Sequence, residues 1–200
     1  MEPNNELRGP VTFKWRSIVG VMGDSRDEHR LLSEPLGRSL ATLGVHLLIG
    51  GGGGVMKAVA RAFAGEKREG SIIGIIPSLL SCQEPSAALG HPVVRNWRPK
   101  VNYPNEYVEI PIYTHLPESG LNGKFEISRN HINVLSADIV LRLPGGSGTQ
   151  AEEELATEYG RPLWILTYPE VRSPESCAQR VASLVEEVRR KLPDKRPVRA

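Results

Sequence analysis

Two glycine-rich loops, Gly50 to Gly54 and Pro144 to Gly148, each stand between a short apolar run and a segment of helical spacing, and that repeated order constrains the fold more than any other feature. The run before the first loop is Val45-His-Leu-Leu-Ile49, and the Ala-rich stretch Val55 to Ala64 follows it, closed by Gly65. The run before the second is Asp138-Ile-Val-Leu-Arg-Leu143, followed by a helix over Thr149 to Tyr159. Around these the alternation continues. Ser17 to Met22 and Ser71 to Ile76 read as buried strands, the Ile-rich second one suiting a parallel strand covered on both faces. Leucines at three- and four-residue spacing between Glu28 and Gly44 mark one amphipathic helix, and Val181, Leu184, Val185 and Val188 mark another over Pro174 to Leu192. A further helix is expected from about Gly123 to Leu135, with strands at Tyr107 to Tyr113 and Pro162 to Thr167. Strands alternating with helices predict an α/β chain with a doubly wound parallel sheet.

Two hundred residues suit a single such domain. It is expected to occupy residues 17–192, between a polar N-terminal tail, 1–16, and a basic C-terminal tail, 193–200, with a Pro-rich, irregular excursion over 78–120. A connection that long is either a surface loop or a functional cover over a pocket. Its aromatic residues Trp97, Tyr103, Tyr107 and Tyr113 either pack together or stack on a flat heterocycle. Basic and acidic side chains number 25 and 23, a balance that gives no sign of a polyanion-coating surface, so no nucleic-acid partner is expected. Cys82 and Cys177 form no disulfide framework, no apolar run reaches membrane-helix length, and Met1 to Pro10 is polar. A cytoplasmic protein with no membrane partner is expected. The histidines His29, His46, His91, His115 and His131 show no ligand spacing, so no metal is expected either.

In an open parallel sheet, strand-to-helix loops at the carboxyl edge are where ligands bind. Glycine allows positive φ and close approach of backbone amides, and the start of a helix attracts an anion, so the natural guest of both loops is a phosphate. The dinucleotide fingerprint is missing, because its third glycine falls on Val55 or Met56. The nucleoside-triphosphate loop is missing too, since neither loop ends in Gly-Lys-Ser/Thr. Gly23-Asp24-Ser25, at the exit of the first strand, either adds a third wall, with Gly23 at the turn and the Ser25 hydroxyl on the ligand, or caps the next helix. Ser147 lacks the glycine spacing of a hydrolase elbow, whose last glycine falls on Thr149.

The string Pro144-Gly-Gly-Ser-Gly-Thr-Gln-Ala-Glu152 resembles the Pro-Gly-Gly-x-Gly-Thr-x-x-Glu motif of the Lonely Guy (LOG) family, once labelled "lysine decarboxylase-like". The resemblance runs over residues 17–167, with the glycine loop, Val55-Met56 and Arg129 in order. It implies a Rossmann-like fold, a homodimer, and a nucleosidase that cleaves nucleoside 5′-monophosphates, cytokinin precursors among them, to free base and ribose 5-phosphate. On this resemblance Arg129 and Glu152 are the catalytic pair. Gly145, Gly146, Ser147, Gly148 and Thr149 cradle the phosphate, and Gly50, Gly51, Gly52, Gly53 and Gly54 with Met56 complete the nucleotide site. No cofactor is implied. A carboxylate is suited to such cleavage, because the ribose becomes positive as the bond breaks and a water must be oriented or deprotonated. Arg129 can bind phosphate or ribose hydroxyls and fix that carboxylate. Around it, Ser128-Arg-Asn-His-Ile-Asn-Val-Leu-Ser136 departs from the Arg-Lys form of the nucleosidases and resembles the branch of molybdenum-cofactor carriers. Those carriers bind a phosphorylated pterin without turning it over. Arg142 also replaces a small or apolar residue before Leu-Pro-Gly-Gly. The alternative to the nucleosidase is therefore a non-catalytic carrier or sensor of a phosphorylated pterin or nucleotide.

Overall fold

A computed structural model describes residues 15–79 and 98–193. Most of both tails, Cys82, His91 and Trp97 lie outside the described residues. In chain order the elements are β1 (Ile18–Met22), α1 (Arg30–Ala41), β2 (His46–Ile49), α2 (Gly54–Ala64), β3 (Ile72–Ile76), β4 (Ile110–Tyr113), a 3-10 turn (Gly120–Asn122), α3 (Asn130–Ser136), β5 (Ile139–Arg142), α4 (Ser147–Glu158), β6 (Leu163–Ile165) and α5 (Pro174–Lys191). The six strands form one sheet in the order β4-β3-β2-β1-β5-β6, and every pairing is parallel. This is the Rossmann-like, doubly wound α/β architecture. The chain winds outward from β1 to β4, returns to the other side of β1 for β5, and so leaves a switch point between β1 and β5.

Period-two alternation splits the sheet's apolar side chains between two layers. Val19, Val21, Leu47, Ile49, Ile72, Ile139 and Leu141 pack with residues of α1, α2 and α5. Met22, Leu48, Ile75 and Val140 pack on the opposite face with Val134 of α3 and with Leu155 and Ala156 of α4. Full burial of each such aliphatic side chain contributes roughly 1.5–3 kcal/mol. Helix α1 closes on α2 through Gly37, where a Cβ would strike the α2 backbone at Val59. Cys177, Val181, Leu184, Val185 and Val188 carry the buried stripe of α5, and Ser173 and Ser176 start that helix with a reciprocal capping box.

Three boundaries differ from expectation. Helix α3 begins at Asn130, well after Gly123, because Ser128 is buried and its hydroxyl donates to Glu118 O at 3.0 Å, holding the approach in a bridge. Helix α4 begins two residues early, at Ser147, so Ser147 and Gly148 belong to its first turn. Strand β4 starts only at Ile110, because residues 105–108 are turned back by hydrogen bonds to Asn105. Of the excursion's aromatics within the described residues, Tyr103 lies against the glycine loop, Tyr107 packs on the core, and Tyr113 is on the edge strand.

Candidate functional site

The exits of β1, β2 and β5 meet at the carboxyl edge, beside the switch point. Asp24 joins them: its N–H donates to Pro144 O at 3.0 Å and its C=O accepts from Val55 N–H at 2.8 Å. The Asp24 carboxylate accepts from the N–H groups of Arg26 and Asp27 at 2.7 and 3.0 Å, which holds it ionised below the usual range. Ser25 is exposed and does not cap α1, whose N-cap is His29. At Gly23 a Cβ would collide with the Val55 side chain. Met56 is a core residue whose methyl end reaches the neighbourhood of Gly52.

At the second loop, Gly146 is the N-cap of α4 and no side chain caps that helix. The first helical hydrogen bond runs from Gln150 N–H to Gly146 O, so the amides of Ser147, Gly148 and Thr149 precede the helical ladder. Gly145 cannot be larger, because a Cβ would meet the Thr149 hydroxyl and lie 2.8 Å from Asp24 N. Nothing stands within 4 Å of a Cβ on Gly146, whereas one on Gly148 would press on Gly120. A cavity of about 550 Å³ opens here, lined by Arg142, Gly145, Gly146, Ser147, Gln150, Glu153 and Glu154, within the size range of small-molecule sites.

Arg129, Glu152 and Gly50 come together across the switch point. Arg129 immediately precedes α3 and is 4% exposed, and Glu152 on α4 is 7% exposed. Their closest atoms, Arg129 Nη1 and Glu152 Oε1, are 3.6 Å apart, and the guanidinium fills the place a Gly50 side chain would take. Asn133, fully buried and one turn after Arg129, donates from Nδ2 to the same Oε1 at 2.8 Å. Burial raises the Glu152 carboxyl above the usual range, with Arg129 and Asn133 pulling it down. Among the described residues, Arg129 Nε and Nη1 and Asn133 Oδ1 are buried without a hydrogen-bond partner. Buried guanidinium N–H groups in that condition suit an anionic or hydroxyl-bearing ligand. The two following glutamates turn elsewhere, Glu153 to Arg142 and Glu154 to Lys124. His131 is half-buried, and its two ring nitrogens meet Tyr159 Oη at 2.6 Å and Phe125 O at 3.0 Å, tying α3 to the end of α4.

Two contributors escaped sequence reasoning. Asn133 lies four residues after Arg129, a spacing that places both on one helical face, and this was the available signal. Asn105, whose N–H and Nδ2 donate to Gly51 O and Gly52 O, both at 2.8 Å, comes from the excursion, where no periodicity marks it.

A parallel sheet whose switch point joins a polyglycine loop to a Pro-Gly-Gly-Ser-Gly-Thr loop defines a protein of the LOG-like superfamily. Within it, the chain belongs to the SLOG cluster4 family, whose model matches residues 16–194. Among solved structures it is similar to the molybdenum cofactor binding protein of the phototrophic bacterium Rippkaea orientalis, at 28% identity and a TM-score of 0.55, over 86% of this chain and 98% of that one. The molybdenum cofactor carrier protein of Chlamydomonas reinhardtii is similar at 26% identity and a TM-score of 0.55, over 88% and 98%. A structural-genomics target, TM1055, is similar at 25% identity and a TM-score of 0.53, over 74% and 72%. No curated protein matches. Among the described residues, no helix is long and apolar enough to cross a membrane, and no group of three His, Cys, Asp or Glu side chains could hold a metal ion.

Proposed function

We propose that this chain binds a nucleoside 5′-monophosphate across Gly50–Gly54 and Gly145–Thr149, as one half of a homodimer, and hydrolyses its N-glycosidic bond to free base and ribose 5-phosphate. The observation that carries this reading is the buried Arg129–Glu152 pair, whose guanidinium keeps Nε and Nη1 without a hydrogen bond among the described residues, Nη1 standing 3.6 Å from the Glu152 carboxylate. As the bond from C1′ to the base breaks, its electron pair leaves with the base nitrogen, which takes up a proton. Water adds to C1′ and gives up a proton. The Glu152 carboxylate stabilises the positive ribose and orients that water, Asn133 and Arg129 hold the carboxylate, and the loop amides hold the phosphate.

A second reading is a carrier or sensor that binds a phosphorylated pterin or nucleotide unchanged. It is favoured by the likeness to the two molybdenum-cofactor proteins and by the Arg129-Asn130-x-Ile132-Asn133 string. Purified protein and Glu152→Gln, incubated with a panel of nucleoside monophosphates and chromatographed for free base, separate the two. Base released by the wild type and lost in the variant is expected. No base from any member, with a phosphorylated pterin retained on purification and found by mass spectrometry, favours the carrier. Equal release by both proteins removes Glu152 from its role.

A further inference from the structure

The strap formed by residues 103–109 crosses from the glycine loop to the sheet edge, and it is tied at several points. Asn105 is buried and uses all its polar groups. Its N–H donates to Gly51 O at 2.8 Å, its Nδ2 to Gly52 O at 2.8 Å, and its Oδ1 and C=O accept from the N–H groups of Tyr107 and Val108 at 3.1 and 3.2 Å. Glu106 pairs with Lys57 of α2 at 2.8 Å, and Glu109 accepts from Ile72 N–H at 2.9 Å while pairing with Arg68. Tyr103 covers the loop so closely that a Cβ on Gly52 would lie 2.7 Å from its hydroxyl.

A planar trans peptide places the C=O of one residue opposite the N–H of the next. Carbonyls of Gly51 and Gly52 held toward Asn105 therefore turn the N–H groups of Gly52 and Gly53 away from the strap. Five successive glycines have no side chains to hold that choice, and Gly51 already stands at φ +76. We propose that Asn105 is a positioning residue for the ligand: it locks the Gly51–Gly53 peptides in the orientation that offers amide hydrogens to a phosphate ester shared by the two glycine loops. This rests on the phosphate-binding reading above.

Hydrogen–deuterium exchange of the free protein tests the lock directly. Asn105→Ala, and Asn105→Asp, which keeps an acceptor for Tyr107 but has no amide donor, are expected to speed exchange about tenfold at the strap amides of residues 105, 107 and 108, which are hydrogen-bonded in the free protein, with 145–149 and α5 unchanged. Calorimetric titration with ribose 5-phosphate, which has the phosphate and no glycosidic bond to cleave, is expected to show about tenfold weaker binding to Asn105→Ala. Wild-type exchange at 105, 107 and 108 in both variants overturns the proposal, as does a uniform rise across the whole chain. Undiminished binding of ribose 5-phosphate by Asn105→Ala overturns it while leaving the phosphate reading intact. Failure of the wild-type protein to bind ribose 5-phosphate or any nucleoside monophosphate overturns that reading, and the role of Asn105 with it.

Discussion

Glu152 carries opposing demands. Removing its charge from water favours the protonated acid, and Arg129 and Asn133 restore the carboxylate only in part, so its carboxyl lies above the ordinary 4.5. For a reaction that needs the ionised form, the acid limb of kcat/KM is expected above that value, and Asn133→Ala is expected to push it higher by removing one of the two groups that favour the charge. A pH–rate profile checks both, and a limb at or below the ordinary glutamate value refutes the assignment. The same shift has a stability consequence of opposite sense. Between 4.5 and the raised folded value the native protein keeps a proton that the unfolded chain has released, so this group's contribution makes stability fall as pH rises through the window and level off above it. Glu152→Gln should remove that slope in denaturation curves taken across pH. Arg129→Met is expected to weaken binding of a nucleoside monophosphate at least about tenfold, the scale of one lost charged hydrogen bond, and unchanged affinity in a titration would exclude the guanidinium from the ligand.

The glycines of the two loops are not equivalent, and substitution by alanine should sort them. At Gly146 a Cβ meets nothing within 4 Å, and φ is −89, which any residue adopts. Gly146→Ala should therefore keep wild-type stability to within about 0.5 kcal/mol while hindering a ligand seated on the α4 amides. Gly54 stands at φ +58 with the Asp24 carbonyl where a Cβ would go, so Gly54→Ala should destabilise by several kcal/mol, roughly the sum of backbone strain and overpacking. Thermal or urea denaturation with ligand titration separates these outcomes, and an unstable Gly146→Ala would contradict the open space seen around that residue. Elements were legible in the sequence wherever apolar periodicity was strong, as in Ser71–Ile76 and Pro174–Leu192, because burial fixes those segments whatever surrounds them. Helix α3 was misjudged at its start because the bridge between Glu118 and Ser128, with the turn from Phe125 to Ser128, overrides local helical preference. Asn105 was illegible for a related reason: the groups its two donors reach are backbone carbonyls more than fifty positions away, and carbonyls leave no trace in a sequence pattern.

At the scale of the molecule, the candidate site belongs to no single element. It draws on the exits of β1, β2 and β5, on Arg129 and Asn133 beside and within α3, and on Glu152 of α4, all gathered where the winding of the sheet reverses. The alternation of elements was enough to foresee the sheet and its carboxyl edge, whereas the Arg129–Glu152–Asn133 contact depends on how α3 and α4 lie together on one face, which spacing along the chain does not specify. Because both core layers draw on the same strands, β1, β2, β3 and β5, ligand binding at the switch point should stabilise the described domain as one cooperative unit. At a free ligand concentration a hundredfold above Kd, linkage adds about 2.7 kcal/mol to unfolding, a rise of roughly 5–10 °C in Tm for a domain of this size. Scanning calorimetry with ribose 5-phosphate should then show a single transition moving upward as a whole, and Arg129→Met should shift much less at the same concentration. A transition that splits, with only one part responding, would mean that the loops of β2 and β5 unfold independently and do not share one ligand.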